Sequence, residues 1–292
     1  MKIIALSLFS VLISMMVLTT SCDKVEPPYM TTPDVVTGDT VRKLLLEDFT
    51  GHRCVNCPAA HKTIEDLQKA YGDRIVVMVI HTGFFAKPEP PELVYDFTNP
   101  DGDAIGVFFA ADQASLPKGM VNRIDNGSGY LLNPTAYGTA VSLVLDSMPK
   151  QPDIYIELTA AYNGTDSTIS VDAKLTALID FPAGKYNLSV MVVESNIIEP
   201  QKNSDPSIGT TPIIHDYNHK DVLRGAINTT WGEEFANSAI TNGQAFTKSY
   251  TNYKIGKDWK PDDLKIIAFA YYADGAEDNV IIQAEEVELI TK

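Results

Sequence analysis

Residues 42 to 81 constrain this chain more than any other stretch. RKLLLEDF (Arg42 to Phe49) is a short apolar run suited to a buried strand, and DRIVVMVIHTG is a second. Between them CPAAHKTIEDLQKAYG reads as a helix. Pro58 suits its first turn, Ile64, Leu67 and Tyr71 share one face, and Gly72 ends it. A strand, a helix and a strand in this order require a crossover, and so a parallel pair.

Cys54 and Cys57 stand where the first strand gives way to the helix. A thiol there faces unpaired backbone N–H groups and the positive end of the helix dipole, which stabilise a thiolate. His52 and Arg53 add positive charge just before it. Cys54 is therefore the expected attacking thiol and Cys57 the resolving one. A structural disulfide is the plainer alternative, because an oxidising compartment would keep the pair closed. A metal clasp with His52 and His61 is a third reading, but a single C-x-x-C with two nearby histidines is a weak signature, and no metal is expected.

Downstream, FFAKPEPPELVYDFTNPD (Phe84 to Asp101) carries four prolines and reads as an insertion loop. It leaves the second strand at the end where the cysteines emerge, so Phe84, Phe85 and Tyr95 could form an apolar lip for a peptide substrate or simply pack the loop down. GDAIGVFFAADQ reads as a short helix, LPKGMVNRI as a proline-led strand, and NPTAYGTAVSLVLDSM as a helix opening at Asn133 and Pro134. After PKQPD the pattern becomes strand after strand: DIYIELTAAY, STISVDAKLTAL, KYNLSVMVVES and a last hairpin from Leu264 to Ile290. Between Pro200 and Tyr253 only strands near Ile213 and Phe246 are legible. The fold expected is an α/β domain over 42–149 followed by an all-β, immunoglobulin-like sandwich over 152–292. His81, at a strand end, is expected at the surface, and His215 and His219 are expected to be structural, in a turn.

The first 22 residues, MKIIALSLFSVLISMMVLTTSC, have the build of a secretory leader: Lys2, an apolar stretch, then small residues. Of the 23 basic residues only Lys2 lies in 1–21, so removing the leader moves the net charge from −15 to −16. No basic cluster interrupts that charge, which argues against nucleic acid or anionic lipid as a charge-driven partner.

Cys22 after the small residues resembles the lipobox of bacterial lipoproteins, in which that cysteine is lipidated. Residues 22–41, rich in Pro, Thr and Asp, would then tether the body to a membrane through the lipid anchor. LLLEDFTGHRCVNC resembles the thioredoxins, whose strand commonly ends in Asp-Phe with the first redox cysteine six residues after the aspartate. The resemblance implies a thioredoxin-like domain in which Asp48 assists proton transfer from Cys57. It also implies a cis-proline at Pro117 in SLPKGMVNRIDNG, exposing the backbone of Leu116 to a substrate chain. The sequence departs from that family at Arg53, where a tryptophan is usual, and at Val55-Asn56, in place of Gly-Pro. Both tryptophans lie far away, at Trp231 and Trp259.

The whole chain, with its lipobox, LLEDFTGHRCVNCPAAH and HDYNHKDVLRG, resembles the outer-membrane-protein-28-related lipoproteins of Bacteroidetes, which implies an outer-membrane location. Two functions remain open. One is thiol–disulfide exchange on exported proteins or small disulfides, without a cofactor. The other is a non-catalytic surface or outer-membrane lipoprotein whose β-sandwich binds a partner.

Overall fold

A computed structural model describes residues 40–275 and 278–291. The expected leader, Cys22 and the tether up to residue 39 lie outside the described residues. The legible unit at the start folds as its pattern requires. Strand β1 (Leu44–Thr50), helix α1 (Cys57–Tyr71) and strand β2 (Ile75–His81) follow in order, and β1 and β2 pair in parallel. Gly72 ends α1 at φ 63°, a left-handed conformation that costs a glycine nothing.

The proline-rich stretch holds one helical turn, α2 (Gly83–Ala86), and gives way to α3 (Pro100–Phe108), whose N-terminus is capped by Asn99 Oδ1 accepting from Gly102 N at 2.8 Å. Strand β3 (Lys118–Val121) returns antiparallel to β1, and α4 (Pro134–Leu145) follows.

The strands beyond residue 152 are β4 (Ile154–Asn163), β5 (Thr168–Ala177), β6 (Tyr186–Glu194), β7 (Ile197–Ile198), β8 (Gln201–Lys202), β9 (Ile213–Ile214), β10 (Asn218–His219), β11 (Val222–Ala226), β12 (Glu233–Ala236), β13 (Ala245–Lys254), β14 (Leu264–Tyr272), β15 (Ile281–Glu288) and β16 (Ile290–Thr291). They do not assemble apart from the first unit. One eight-stranded sheet runs β15-β14-β6-β11-β2-β1-β3, with β12 also on β6, so strands from both sides of residue 150 share it. The junction is Val222 of β11 beside Val79 of β2, in parallel. The described residues from Thr40 onward form one compact unit. The fold is mixed α/β and mostly sheet.

Packing explains why the sheet continues. One face carries a single core in which Leu45, Val76, Met78 and Ile80 join Met191, Val193, Ile267 and Phe269. The other face is covered in two pieces. Beneath β1 and β2, Leu44, Leu46, Val77 and Val79 meet α1 and α4 through Ile64, Tyr137 and Val141. Beneath β6 and β14, Leu188, Val190, Ile266 and Ala268 meet Ile156, Val171 and Leu175 of a second sheet, ordered β13-β5-β4-β16. Both faces of β6 and β14 are therefore buried, as their near-continuous apolar runs require. Each fully buried large side chain there stabilises the fold by about 1.5–3 kcal/mol.

Between β6 and β11, which are antiparallel neighbours, the connection is drawn out into an arm over residues 197–219. Two short ladders hold it, β7 with β10 and β8 with β9.

Candidate functional site around the Cys54–Cys57 disulfide

The end of β1 and the start of α1 place Cys54 and Cys57 close enough to bond, and they are joined as a disulfide. The pair is enclosed: Cys54 is 2% exposed and Cys57 is fully buried, both within the core shared by the two halves. An accessible Cys54, expected for an attacking thiol, is not what the fold presents.

Two segments close the loop. On one side, a Cβ on Gly51 would lie 2.3 Å from the Phe85 carbonyl carbon, so only glycine fits, and Arg53 N donates to Phe85 O at 3.2 Å. Arg53 stacks on Phe84 at 3.7 Å and reaches Glu89 at 3.1 Å. Of the expected apolar lip, Phe84 is 59% exposed, Phe85 is partly buried against the core, and Tyr95 packs on Phe97 and accepts from Arg224.

On the other side lies the arm. Lys202 N donates to His52 O at 2.8 Å and Ser204 N to Val55 O at 2.9 Å, while the buried Gln201 carboxamide donates to Cys54 O at 2.9 Å. Lys202 Nζ also reaches Glu89, at 2.6 Å, and that hydrogen bond holds the Glu89 carboxyl below the usual range. The arm's role is not legible in the stretch from Pro200 to Tyr253, where Asn, Gly and Thr are frequent and strand signals are few. Its one usable signal was a long segment between two strong strands.

Asp48 is fully buried on β1. Its Oδ1 accepts from Tyr137 at 3.2 Å, and its Oδ2 lies 3.1 Å from His61 Nε2 without the alignment of a hydrogen bond. His61, one turn after Cys57 on α1, also meets Thr50 Oγ1 at 3.1 Å and the hydroxyl of Tyr217, on the arm, at 2.6 Å. The Leu116–Pro117 peptide is cis, and Pro117 borders a groove with Asn56, Ala59 and Ala60 at the first turn of α1.

The histidines depart most from expectation. His81 is not at the surface: it is 1% exposed and stacks on Phe97 at 4.2 Å. His219 and His52 pack on the same ring at 4.5 and 5.2 Å, so β2, the arm and the cysteine loop meet at Phe97. His215 stays exposed on the arm. Both ring nitrogens of His81, and Nδ1 of His52 and of His219, are buried without a hydrogen-bond partner. Burial pushes His52 below its ordinary value, His81 well below it, and His219 down to about 3. Among the described residues no three His, Cys, Asp or Glu side chains are grouped to hold a metal.

The architecture is that of a mixed α/β protein, mostly sheet, closed around a buried disulfide. The model of the outer membrane protein Omp28 family matches residues 109–289, more than half of the chain, and the chain belongs to that family. It is an outer-membrane lipoprotein of the cell envelope. No curated protein matches it.

Among solved structures, it is similar to HBP35 of Porphyromonas gingivalis, with a TM-score of 0.59, 18% identity, 86% of this chain and 76% of that one covered. Protein AGR_C_4864 of Agrobacterium tumefaciens gives a TM-score of 0.50 at 11% identity, over 86% of this chain and 96% of the other. A domain of the outer membrane lipoprotein Omp28 of Porphyromonas gingivalis gives 0.31 at 21% identity, over 48% and 91%. The first two likenesses speak to fold alone.

Proposed function

We propose that this is a non-catalytic outer-membrane lipoprotein in which the Cys54–Cys57 disulfide is a structural closure and the strands beyond residue 152 carry a partner-binding surface. The carrying observation is the enclosure of Cys54, at 2% exposure, beneath main-chain hydrogen bonds from Lys202 and Ser204 and a side-chain bond from Gln201. A thiol exchanger needs an accessible first sulfur, because exchange proceeds by direct attack on it. Equilibration of the soluble body with glutathione buffers, followed by thiol trapping, tests this. Structural disulfides lie below about −300 mV, whereas thioredoxin-family exchangers span roughly −270 to −120 mV. A value in the second range, together with reduction of an exported-protein disulfide in turnover, removes the structural reading.

A second reading keeps the expected exchange chemistry, with Cys54 attacking, Cys57 resolving, Asp48 moving the proton, and Leu116, Pro117, Phe84 and Phe85 docking the substrate. It is favoured by Asp48, a fully buried carboxylate on the strand that leads to the cysteines, with a histidine and a tyrosine as neighbours. The parallel β1–β2 pair, the antiparallel β3 after Pro117 and the helix between them support a thioredoxin-like N-terminal unit under either reading. The second sheet packed on β6, β14 and β15 supports a sandwich of immunoglobulin-like build, fused to that unit through the shared sheet.

A further inference from the structure

We infer that the arm over residues 197–219 is a gate on the disulfide: it occupies the path along which a peptide thiol would approach Cys54, and the disulfide reacts only when residues 201–204 lift. The closed starting state is the one on which the proposed structural role rests. The gate adds how that state opens.

The main chain of the arm lies on the cysteine loop as an extended peptide would. Alternate amides, those of Lys202 and Ser204, donate to His52 O and Val55 O, at 2.8 and 2.9 Å. The acceptors are three residues apart in a turn, so this is no strand ladder, but each amide covers a carbonyl on the outer edge of the cysteine loop. The Gln201 side chain seals the gap between them, donating to Cys54 O at 2.9 Å and to Gly51 O at 3.4 Å. The Ser204 hydroxyl adds a bond to Asn56 Oδ1 at 2.8 Å. Residues of this chain thus satisfy carbonyls of the cysteine loop that would otherwise be open to an incoming chain.

The same arm is built to move. Its ladders are two residues long, and its tip, residues 204–212, is largely exposed. None of residues 201–204 has an apolar side chain: Gln201 and Asn203 are buried, but the segment is held by hydrogen bonds and the Lys202–Glu89 ion pair, which water can replace, so it can open at a free energy below that of global unfolding. Nearer its base the arm is pinned more firmly, by His219 on Phe97, by Tyr217 on His61, and by the buried side chain of Ile197. That divides it into an anchored stem and a liftable end.

Once the end lifts, a thiolate attacks Cys54 Sγ, forming a mixed disulfide and breaking the Cys54–Cys57 bond, and Cys57 leaves as a thiolate that takes a proton from water. With dithiothreitol as reductant, its second thiol displaces Cys54. The protein gains two electrons and dithiothreitol becomes the cyclic disulfide.

The test is the second-order rate constant for reduction of the full chain by dithiothreitol. Gln201→Ala and Ser204→Pro, which delete bonds of the liftable end, are compared with Asn122→Ala, which weakens the fold away from the arm. The gate predicts that both arm variants react at least about tenfold faster than wild type while Asn122→Ala does not. Equal rates in all four proteins overturn it, as does acceleration in Asn122→Ala alone. Should an arm variant fail to fold, hydrogen exchange in the wild-type chain decides. The Lys202 and Ser204 amides must exchange at lower protection than those of β1 and β2, and equal protection overturns the gate. Failure of the structural reading shows separately, in the wild-type reduction potential, because that is an equilibrium property and the gate is read from rate ratios.

Discussion

Two of the buried polar clusters among the described residues are built on opposite principles. Glu47 on β1 and Arg123 after β3 are both almost fully buried and bond through two parallel contacts of 2.8 and 2.7 Å. The guanidinium carbon lies 5.2 Å from the ring centre of Phe109 and 5.0 Å from that of Phe269, the latter on β14. Every charge there has its partner, and the pair sits where the two halves of the chain share a core. The histidines around Phe97 carry no charge at neutral pH and leave four ring nitrogens without partners, where the arm, β2 and the cysteine loop meet. The first cluster fixes a joint permanently. The second fixes one only while its rings stay neutral.

The largest expected effect comes from breaking the satisfied pair. Arg123→Ala strips the buried Glu47 of its partner, and losses of about 3–5 kcal/mol are typical of such a break. Urea unfolding should therefore show a strongly lowered midpoint or no folded protein. The contrast sharpens with Glu47→Leu combined with Arg123→Met, which removes both charges and should recover most of the loss, because an apolar pair of similar volume is often as stable as a buried ion pair. If the double variant is as unstable as the single one, the pair is doing more than filling a joint.

Next in size is the response to acid, which belongs to the histidines. Their folded-state pKa values are depressed below the ordinary 6.5, so the unfolded chain binds protons first. Stability is then complete above about pH 6.5 and declines as the pH falls from there toward the folded-state values. For His219, pushed down to about 3, the loss at pH 5.5 is about 1–1.5 kcal/mol, and His81 adds a loss of the same sign. Glu194 and Glu286 carry the opposite sign. Burial raises their pKa, so acid relieves them, but only nearer the carboxylate range. Urea titrations at pH 7.5 and 5.5 separate the two, and His219→Phe should flatten the difference. A pH-independent midpoint would mean that the rings find water or partners on protonation.

How much of this was legible follows from which faces are buried. β4 and β5 alternate apolar and polar residues and were read directly, because one side of each faces solvent. The near-continuous runs of β6 and β14 carried a further message, that layers cover both faces of the sheet, and this is the physical reason that the segments 42–149 and 152–292 share a core. Position 54 marked the cysteine loop correctly but said nothing of what covers it, since the cover comes from residues about 150 positions away. His81 was misplaced for the same reason: a strand end is exposed only if nothing packs over it, and here Phe97 and His219 do.

The smallest of these effects tests the joint from its neutral side. Asn122, at φ 50°, accepts from Leu45 N through Oδ1 at 2.8 Å, donates its own N–H to Leu45 O at 2.9 Å, and accepts from Ile281 N through its carbonyl at 2.9 Å. It thus ties β1 to β15 across the two halves without any charge. Asn122→Ala keeps both main-chain bonds but leaves the buried Leu45 N–H unpaired, at about 1–3 kcal/mol. It also places alanine in a left-handed conformation that asparagine tolerates better. The midpoint in urea should fall by less than in Arg123→Ala and by the same amount at pH 7.5 and 5.5, because no titrating group is involved. A loss as large as that of Arg123→Ala would make the neutral tie the stronger part of the joint. A loss that grew in acid would mean that opening here exposes the histidines, so that the two clusters respond as one.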